Sequence, residues 1–297
     1  MKRGNSMNNG VIIKGISSFY YVRTEDNHIY ECKARGIFRK EKVVPVVGDR
    51  VIIDTKPDDT GTICEILERD NYLIRPPVAN INLAIIVFAF AMPEPNLNLL
   101  DRFLVTIEKN DIRACICLNK SDLADPKIRE KMVDIYKGAG YDVICTSTKT
   151  EEGILEIKEQ LKDHISIFAG PSGVGKSSLL NEIQSGLSLQ TGDISLKAER
   201  GKHTTRHVEL MELDFGGSVL DTPGFSSLDV VDIEEDELTY MFPEFEPFIE
   251  DCRFKGCRHL NEPQCEIKNR VVSNEIATSR YESYLLLLKE IQEQRRY

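Results

Sequence analysis

The segment "GPSGVGKSS", residues 170–178, constrains the fold of this chain more than any other feature. The residues that fit the pattern G-x-x-x-x-G-K-[ST] are Gly170, Gly175, Lys176 and Ser177. In that pattern backbone N–H groups converge on phosphate oxygens. The apolar run "HISIFA" before it and the amphipathic run "SSLLNEIQSGL" after it are typical of a strand and a helix. We therefore predict a phosphate-binding loop in an α/β domain, with Lys176 at the β- and γ-phosphates and Ser177 on Mg²⁺.

A second motif, upstream of the loop, predicts recognition of guanine. It comprises Asn119, Lys120, Ser121 and Asp122, "NKSD", at the end of the apolar run "RACICLN". A carboxylate at Asp122 can accept hydrogen bonds from the N1–H and 2-amino groups of guanine, a donor pair that adenine lacks. Asn119 can bridge the base and a neighbouring loop, and the Lys120 stem can cover the ring. In "TSTKT", Ser147 and Thr148 can present N–H groups to guanine O6.

The γ-phosphate is expected to meet two further segments. In "SVLDTPGF", Asp221 ends a strand and would hold Mg²⁺ through water, while the Gly224 N–H would face the γ-phosphate. In "RGKHTTRH", Thr205, or alternatively Thr204, is the candidate for a second Mg²⁺ hydroxyl ligand.

The group that orients the attacking water is not the usual one. Well-known GTPase switches place a Gln after D-x-x-G, and this chain has Phe225 there, which cannot hydrogen-bond through its side chain. Intrinsic hydrolysis is therefore expected to be slow unless another group substitutes. Our candidate for the missing catalytic group is His203, and the alternative is a group supplied in trans by a partner.

The order of these motifs is inverted, because the base reader precedes the phosphate loop. If the chain is followed from 165 to 224 and then from 81 to 150, every part appears in the usual GTPase order. Strand-like runs also alternate with amphipathic runs, which indicates a doubly wound, mostly parallel sheet. We therefore predict a circularly permuted P-loop GTPase domain over residues 73–232.

The N-terminal segment, residues 1–72, has a different pattern of apolar and polar residues. Short alternating runs such as "FYYVRT" and "DRVIIDT" are separated by turn residues, which favours a small OB-like β-barrel. The segment "KARGIFRK" interleaves basic residues with an aromatic one, a mixture typical of OB-type RNA binders but equally of a solvated hairpin. The candidate RNA contacts here are Lys33, Arg35, Phe38, Arg39 and Lys40.

The C-terminal segment, residues 233–297, contains "CRFKGCRHLNEPQC" and is predicted to be mostly helical. Three thiolates and one imidazole are a ligand set for one structural, tetrahedral zinc ion. The candidate ligands are Cys252, Cys257, His259 and Cys265. Arg253, Lys255 and Arg258 surround them with positive charge and are further candidate RNA contacts. The alternative is a set of reduced surface cysteines.

Net charge and the length of the apolar runs argue against several classes of protein. A formal net charge of −10 argues against a protein that coats nucleic acid, so any RNA contact is expected to be local and salt-sensitive. The longest apolar run, 83–92, is too short to span a bilayer, and the N-terminus lacks the apolar core of a signal peptide. We expect a cytoplasmic protein that does not bind membranes and is a monomer.

Together these motifs resemble the RsgA family of circularly permuted GTPases, which act in biogenesis of the small ribosomal subunit. The resemblance covers nearly the whole chain, through "NKSD", "GPSGVGKSS", "HTTRH", "DTPGF" and "CRFKGCRHLNEPQC". It implies binding to the 30S subunit with its 16S rRNA late in maturation, subunit-stimulated hydrolysis of GTP to GDP, Mg²⁺ and one structural zinc. It also implies that the whole loop binds nucleotide: Gly170, Pro171, Ser172, Gly173, Val174, Gly175, Lys176, Ser177 and Ser178.

Two other functions stay open on the sequence. One is a zinc-containing regulatory GTP switch that binds a protein effector and no RNA. The other is a nucleotide-dependent scaffold with negligible turnover, which Phe225 suggests.

Overall fold

The structure is a computed structural model that describes residues 6–40, 42–74, 76–184, 208–221 and 233–294. The chain divides into two compact units. The first contains Met1–Leu83, Gln160–Ile167 and Lys197–Gly224, and the second contains Ala84–Glu159, Phe168–Leu196 and Phe225–Tyr297. The predicted boundaries after residues 72 and 232 stay a prediction.

A closed five-stranded barrel forms most of the first unit, which confirms the predicted OB-like fold. Its elements are β1 (Ser6–Ile16), β2 (Phe19–Thr24), β3 (Ile29–Ala34), the short helix α1 (Ile37–Lys40), β4 (Arg50–Thr55) and β5 (Thr60–Ile66). Strand β1 pairs antiparallel with both β2 and β4, and β3 pairs parallel with β5, so that the ring closes. Alternating β-branched residues fill the inside, and Val51, Ile53 and Ile63 are fully buried.

Further strands complete the first unit. They are β6 (Tyr72–Ile74), β7 (Pro77–Ala79), β11 (Ile165–Ala169), β12 (Glu209–Glu212) and β13 (Ser218–Asp221), of which β11 ends in the second unit. Strands β12 and β13 form an antiparallel hairpin, and the connection between them contains Gly216 and Gly217, a pair that favours such turns. Strand β12 also pairs with β1, where the Lys14 ammonium lies 2.6 Å from a Glu209 carboxylate oxygen.

The second unit alternates strands and helices, as predicted for a parallel α/β domain. In chain order they are β8 (Leu83–Ala89), α2 (Leu97–Lys109), β9 (Arg113–Asn119), α3 (Pro126–Gly138), β10 (Asp142–Cys145), α4 (Ile154–Leu161) and α5 (Lys176–Ile183). All seven residues of β8 are buried, which is typical of a central strand in a parallel sheet. Side-chain caps begin two helices: Asn96 accepts from the Leu99 N–H, and Asp125 accepts from the Lys127 N–H.

The C-terminal module, residues 233–294, belongs to the same unit and is mostly helical. It consists of two 3₁₀ helices, Leu238–Met241 and Pro243–Phe248, followed by α6 (Glu266–Val272) and α7 (Thr278–Gln294). Its core includes Phe242, Phe245 and Tyr284, together with Val105 of α2. The module therefore shares its aromatic core with the α/β domain.

A buried ionic cluster joins the module to α2. The Arg280 guanidinium donates two hydrogen bonds to the Glu244 carboxylate, at 2.6 and 3.0 Å, and one to Asp101 Oδ1 at 2.7 Å. The Tyr136 hydroxyl donates to the same Asp101 oxygen at 3.0 Å. Burial raises the pKa of Asp101, and the Arg280 charge opposes this shift. The cluster therefore fixes α7 and a 3₁₀ helix to α2.

No helix in the described part of the chain is long and apolar enough to cross a bilayer.

Replacing Arg280 with Ala should destabilise the protein by about 3–5 kcal/mol, because two buried carboxylates lose their counter-charge. Urea unfolding followed by circular dichroism measures this loss. Arg102→Ala is the matched control, since Arg102 joins the same two helices through a half-exposed pair with Glu290 and should cost about 1 kcal/mol or less. Equal losses in the two variants would contradict the assignment of the buried cluster as the principal clamp.

Candidate functional site

The predicted phosphate loop connects β11 to α5. Gly175 lies at the N-terminus of α5 with φ +98°, a conformation that L side chains rarely adopt. A Cβ atom there would lie 2.4 Å from Asn119 Nδ2. Glycine at this position therefore allows the loop to approach the base-recognition motif closely.

Lys176 folds back over the loop. Its ammonium donates hydrogen bonds to the carbonyl oxygens of Gly170 at 2.6 Å and of Pro171 at 2.8 Å. Burial lowers the pKa of Lys176 to about 8. A partly desolvated ammonium at the beginning of a helix is suited to an anionic ligand, since the helix dipole adds favourable potential there.

The two motifs that are inverted in sequence touch each other. The Asn119 amide donates to the Val174 carbonyl oxygen at 2.8 Å, and the Lys120 ammonium donates to the Gly173 carbonyl oxygen at 2.8 Å. Lys120 also donates to the Met92 carbonyl oxygen. The base-recognition motif and the phosphate loop therefore form one continuous site within the second unit.

Two neighbouring side chains hold the Asp122 carboxylate in its ionised form, in which it can only accept hydrogen bonds. The Ser147 hydroxyl donates to its Oδ1 at 2.8 Å, and the Lys149 ammonium lies 3.2 Å from its Oδ2. The Ser147 hydrogen bond, with the Lys149 charge, holds the pKa of Asp122 below its usual value. Because its pKa is lowered, the Asp122 carboxylate is ionised at neutral pH. Its side chain is 17% exposed and is therefore still accessible to a ligand.

Sequence reasoning missed Thr146, which sets the orientation of Asn119. The Thr146 hydroxyl donates to Asn119 Oδ1 at 3.0 Å and lies 3.1 Å from the Cys117 sulfur. With Oδ1 occupied in this way, the Asn119 amide nitrogen is left to donate to the phosphate loop. The position of Thr146 directly before Ser147 was the only signal in the sequence.

The four predicted metal ligands of the C-terminal module converge. Their ligand atoms all lie within 4.8 Å of one another, with His259 Nδ1 3.3 Å from the Cys265 sulfur and 3.7 Å from the Cys252 sulfur. In a tetrahedral zinc site the corresponding separations are about 3.5–3.8 Å. The spacing therefore fits a closed, four-ligand metal site.

The pKa shifts of two of these ligands, Cys265 and His259, are also consistent with a bound cation. Burial raises the pKa of the Cys265 thiol to about 12 and lowers the pKa of His259. Without a metal the buried cluster would hold neutral groups. A bound cation supplies the charge that keeps the thiolates ionised, so metal binding must displace protons.

Several predicted site residues lie outside the described residues. They are His203, Thr204, Thr205 and Gly224. For Asp221 the structure gives the backbone, at the end of β13 as predicted, and not the side chain. Their roles stay predictions.

The prediction that Phe38 offers a stacking surface is wrong. Residues 37–40 form the short helix α1 instead of part of a hairpin, and the Phe38 side chain in this helix is buried, with 7% exposed. Lys33 is exposed and its ammonium lies 4.8 Å from the centre of the Phe19 ring. Arg35 and Lys40 are exposed, and only the backbone of Arg39 is described.

The basic residues around the metal ligands are also exposed. Arg253 and Lys255 lie on the surface, with the Arg253 guanidinium 5.5 Å from the centre of the Phe254 ring. Arg258 is exposed and pairs with Glu235 at 2.8 Å. The positive charge of this surface is therefore partly neutralised within the module.

Two protein-family profiles match successive parts of the chain. The profile of the RsgA N-terminal domain matches residues 9–63, and that of the RsgA GTPase matches residues 66–231. A protein of Caldanaerobacter subterraneus subsp. tengcongensis named small ribosomal subunit biogenesis GTPase RsgA is 51% identical over 290 residues, which cover 97% of this chain and 98% of the relative. A Bacillus cereus protein of the same name is 47% identical, covering 97% and 99%.

Two solved structures resemble the whole chain. YjeQ from Thermotoga maritima aligns with a TM-score of 0.86 at 40% identity, covering 97% of this chain and 99% of that structure. YloQ, described as a circularly permuted GTPase, aligns with a TM-score of 0.84 at 41% identity, covering 99% and 98%.

The partly buried Lys176 ammonium leads to a prediction about how GDP affinity depends on pH. A bound phosphate favours protonated Lys176, so GDP affinity should be constant below pH 8 and fall by up to about tenfold per pH unit as the free protein loses the proton above pH 8. Calorimetric titration of GDP between pH 7 and 9.5 measures this dependence. Competition by guanosine, which has no phosphate, controls for titration of the base. Identical pH profiles for GDP and guanosine would contradict the prediction.

Proposed function

The chain belongs to the RsgA GTPase family, a family of GTP-hydrolysing enzymes, and from that premise we propose that it binds the 30S ribosomal subunit and hydrolyses GTP there late in subunit maturation. The name of its relatives, small ribosomal subunit biogenesis GTPase, supports the small subunit as its binding partner. The order of its motifs is that of a circularly permuted GTPase. A cytoplasmic location follows from the proposal, since bacterial ribosomal subunits mature in the cytoplasm.

The contact between Asn119 and Val174 carries the proposal of a guanine-nucleotide site. This contact supports a single nucleotide that spans the motif 119–122 and the loop 170–178. Asp122 is proposed to accept from the guanine N1–H and 2-amino groups, and the residues of loop 170–178 to surround the phosphates. Lys176 would bind the β- and γ-phosphates, where charge develops during hydrolysis.

The proposed Mg²⁺ site comprises Ser177, Thr205 and Asp221, and the ion would neutralise phosphate charge when bound. The Gly224 N–H is proposed to contact the γ-phosphate. For the water-orienting group, His203 and a group supplied by the subunit remain the two candidates. Because Phe225 cannot hydrogen-bond through its side chain, hydrolysis by the free protein should be slow unless His203 orients the water without the subunit.

Contact with 16S rRNA is proposed for two basic surfaces, one on the barrel and one on the module. The described side chains that could contribute are Lys33, Arg35, Lys40, Arg253, Lys255 and Arg258. Since the chain carries a net charge of −10, binding through these residues should be local and weaken steeply with salt.

The metal of the C-terminal module is proposed to be one structural zinc ion. Three thiolates and an imidazole in a closed tetrahedral set are typical of structural zinc and leave no open position for catalysis. Zinc there would hold the loop 252–265 against α7, where the Tyr281 hydroxyl donates to the His259 carbonyl oxygen at 2.5 Å.

GTP hydrolysis measured with 30S subunits, with 50S subunits and with neither tests the proposed function. We expect stimulation of at least about tenfold by 30S and none by 50S, because the missing water-orienting group is completed or ordered on the small subunit. Co-sedimentation with 30S at two salt concentrations, with a non-hydrolysable GTP analogue, checks binding independently. Equal rates in all three reactions, with no salt-sensitive binding, would contradict the proposal.

Metal analysis tests the zinc assignment. The purified protein should contain one zinc per chain, and Cys265→Ser should lower this content and the stability of the module. Zinc retention against a chelator should fall as pH decreases from 8 to 5.5, because protons compete for the thiolates. Cys64→Ser, a matched change in the barrel, should keep full zinc content. The assignment fails if Cys265→Ser retains one zinc.

A further inference from the structure

Glu152 lies at a junction of three elements around the base-recognition motif. Its Oε2 accepts a hydrogen bond from the Ser121 hydroxyl at 2.6 Å, and its Oε1 pairs with the Arg129 guanidinium of α3. Its backbone carbonyl accepts from the Ser147 N–H at 3.1 Å. One residue therefore holds the motif 119–122, the turn 146–150 and a helix together.

Two of the three partners of Glu152, Ser121 and Ser147, are next to the Asp122 carboxylate. Ser121 directly precedes Asp122 in the chain, is buried, and donates its N–H to the Thr146 carbonyl oxygen at 3.0 Å. Ser147 donates its hydroxyl to Asp122 Oδ1 at 2.8 Å. The Glu152 carboxylate is therefore connected to Asp122 through Ser121, and the Glu152 backbone is connected to it through Ser147.

The backbone fixes where Glu152 lies. The next residue, Gly153, has φ +71°, and a Cβ atom there would lie 2.1 Å from the Cys145 carbonyl oxygen. The turn is thus pressed against the end of β10 directly before Thr146. The Ser121 hydroxyl and the Arg129 charge also hold the pKa of Glu152 below its usual value, so that it accepts both contacts as a carboxylate.

We propose that the Glu152 side chain is a positioning group for guanine selectivity, acting through the Ser121 hydroxyl on the neighbouring Asp122 carboxylate. The inference rests on the proposed role of Asp122 as the base reader. It assigns to Glu152 the alignment of that carboxylate with the 2-amino group of the base. Its signature is a change in discrimination between bases rather than a uniform loss of nucleotide binding.

The experiment compares the affinities of GDP and IDP, since hypoxanthine keeps N1–H and lacks the 2-amino group. The wild-type protein should prefer GDP by about tenfold to a hundredfold, the range expected for a hydrogen bond to a charged group. Glu152→Ala and Ser121→Ala should each lower this ratio by about three- to tenfold. The double variant should lower it no further than the stronger single change, because both remove the same connection.

Glu151→Gln is the matched control, since this neighbouring acid is exposed. It should leave the ratio unchanged, and Glu152→Gln, which keeps an acceptor for Ser121, should have an effect between those of wild type and Glu152→Ala. Thermal unfolding monitors folding of each variant. If Glu152→Ala and Ser121→Ala weaken GDP and IDP equally, or if Glu151→Gln changes the ratio as much, the inference is overturned.

Asp122→Asn separates failure of this inference from failure of the proposed site. If this variant shifts preference from GDP to XDP while the Glu152 and Ser121 variants keep the wild-type GDP-to-IDP ratio, Glu152 alone has been misassigned. If Asp122→Asn keeps the wild-type preference for GDP, the base reader is misassigned and the inference fails with it.

Discussion

The hydrogen bond from the Asn119 amide to the Val174 carbonyl oxygen links the two halves of the proposed nucleotide site. The residues it joins are 55 positions apart and stand in the reverse of the usual GTPase order. Thr146 orients the amide, Gly175 allows the close approach, and Lys120 adds a second connection to the same loop. The geometry of a GTPase site is therefore retained although the connections of the chain have been permuted.

A shared core and a buried ionic cluster attach the C-terminal module to the α/β domain. Val105 and Asp101 of α2 contribute to the module's core and to its buried ionic cluster, respectively. A buried guanidinium between two carboxylates tolerates little displacement, because separating the charges in a low-dielectric interior is costly. The proposed metal-binding loop therefore belongs to the same compact unit as the proposed base-recognition motif. This arrangement suits an enzyme whose nucleotide site and outer surface must address one partner together.

Local sequence patterns predicted the features that depend on neighbouring residues. The phosphate loop, the β12–β13 hairpin, the barrel and the Cys/His cluster each have their determinants within a short segment. Contacts between distant residues could not be predicted. Arg280 meets Asp101 across 179 positions, and nothing in the composition of α7 marks it as buried. Phe38 was misassigned because a single turn of helix is too short to show a period that would mark its buried side.

The central claim is that one guanine nucleotide spans the Asp122 carboxylate and the Lys176 ammonium. A crystal structure with a bound GTP analogue and Mg²⁺ tests it most directly. The account predicts the Asp122 oxygens within hydrogen-bond distance of the guanine N1 and 2-amino nitrogens, and the Lys176 ammonium against the β- and γ-phosphates of the same molecule. A nucleotide whose base or phosphates lie against other residues would contradict it.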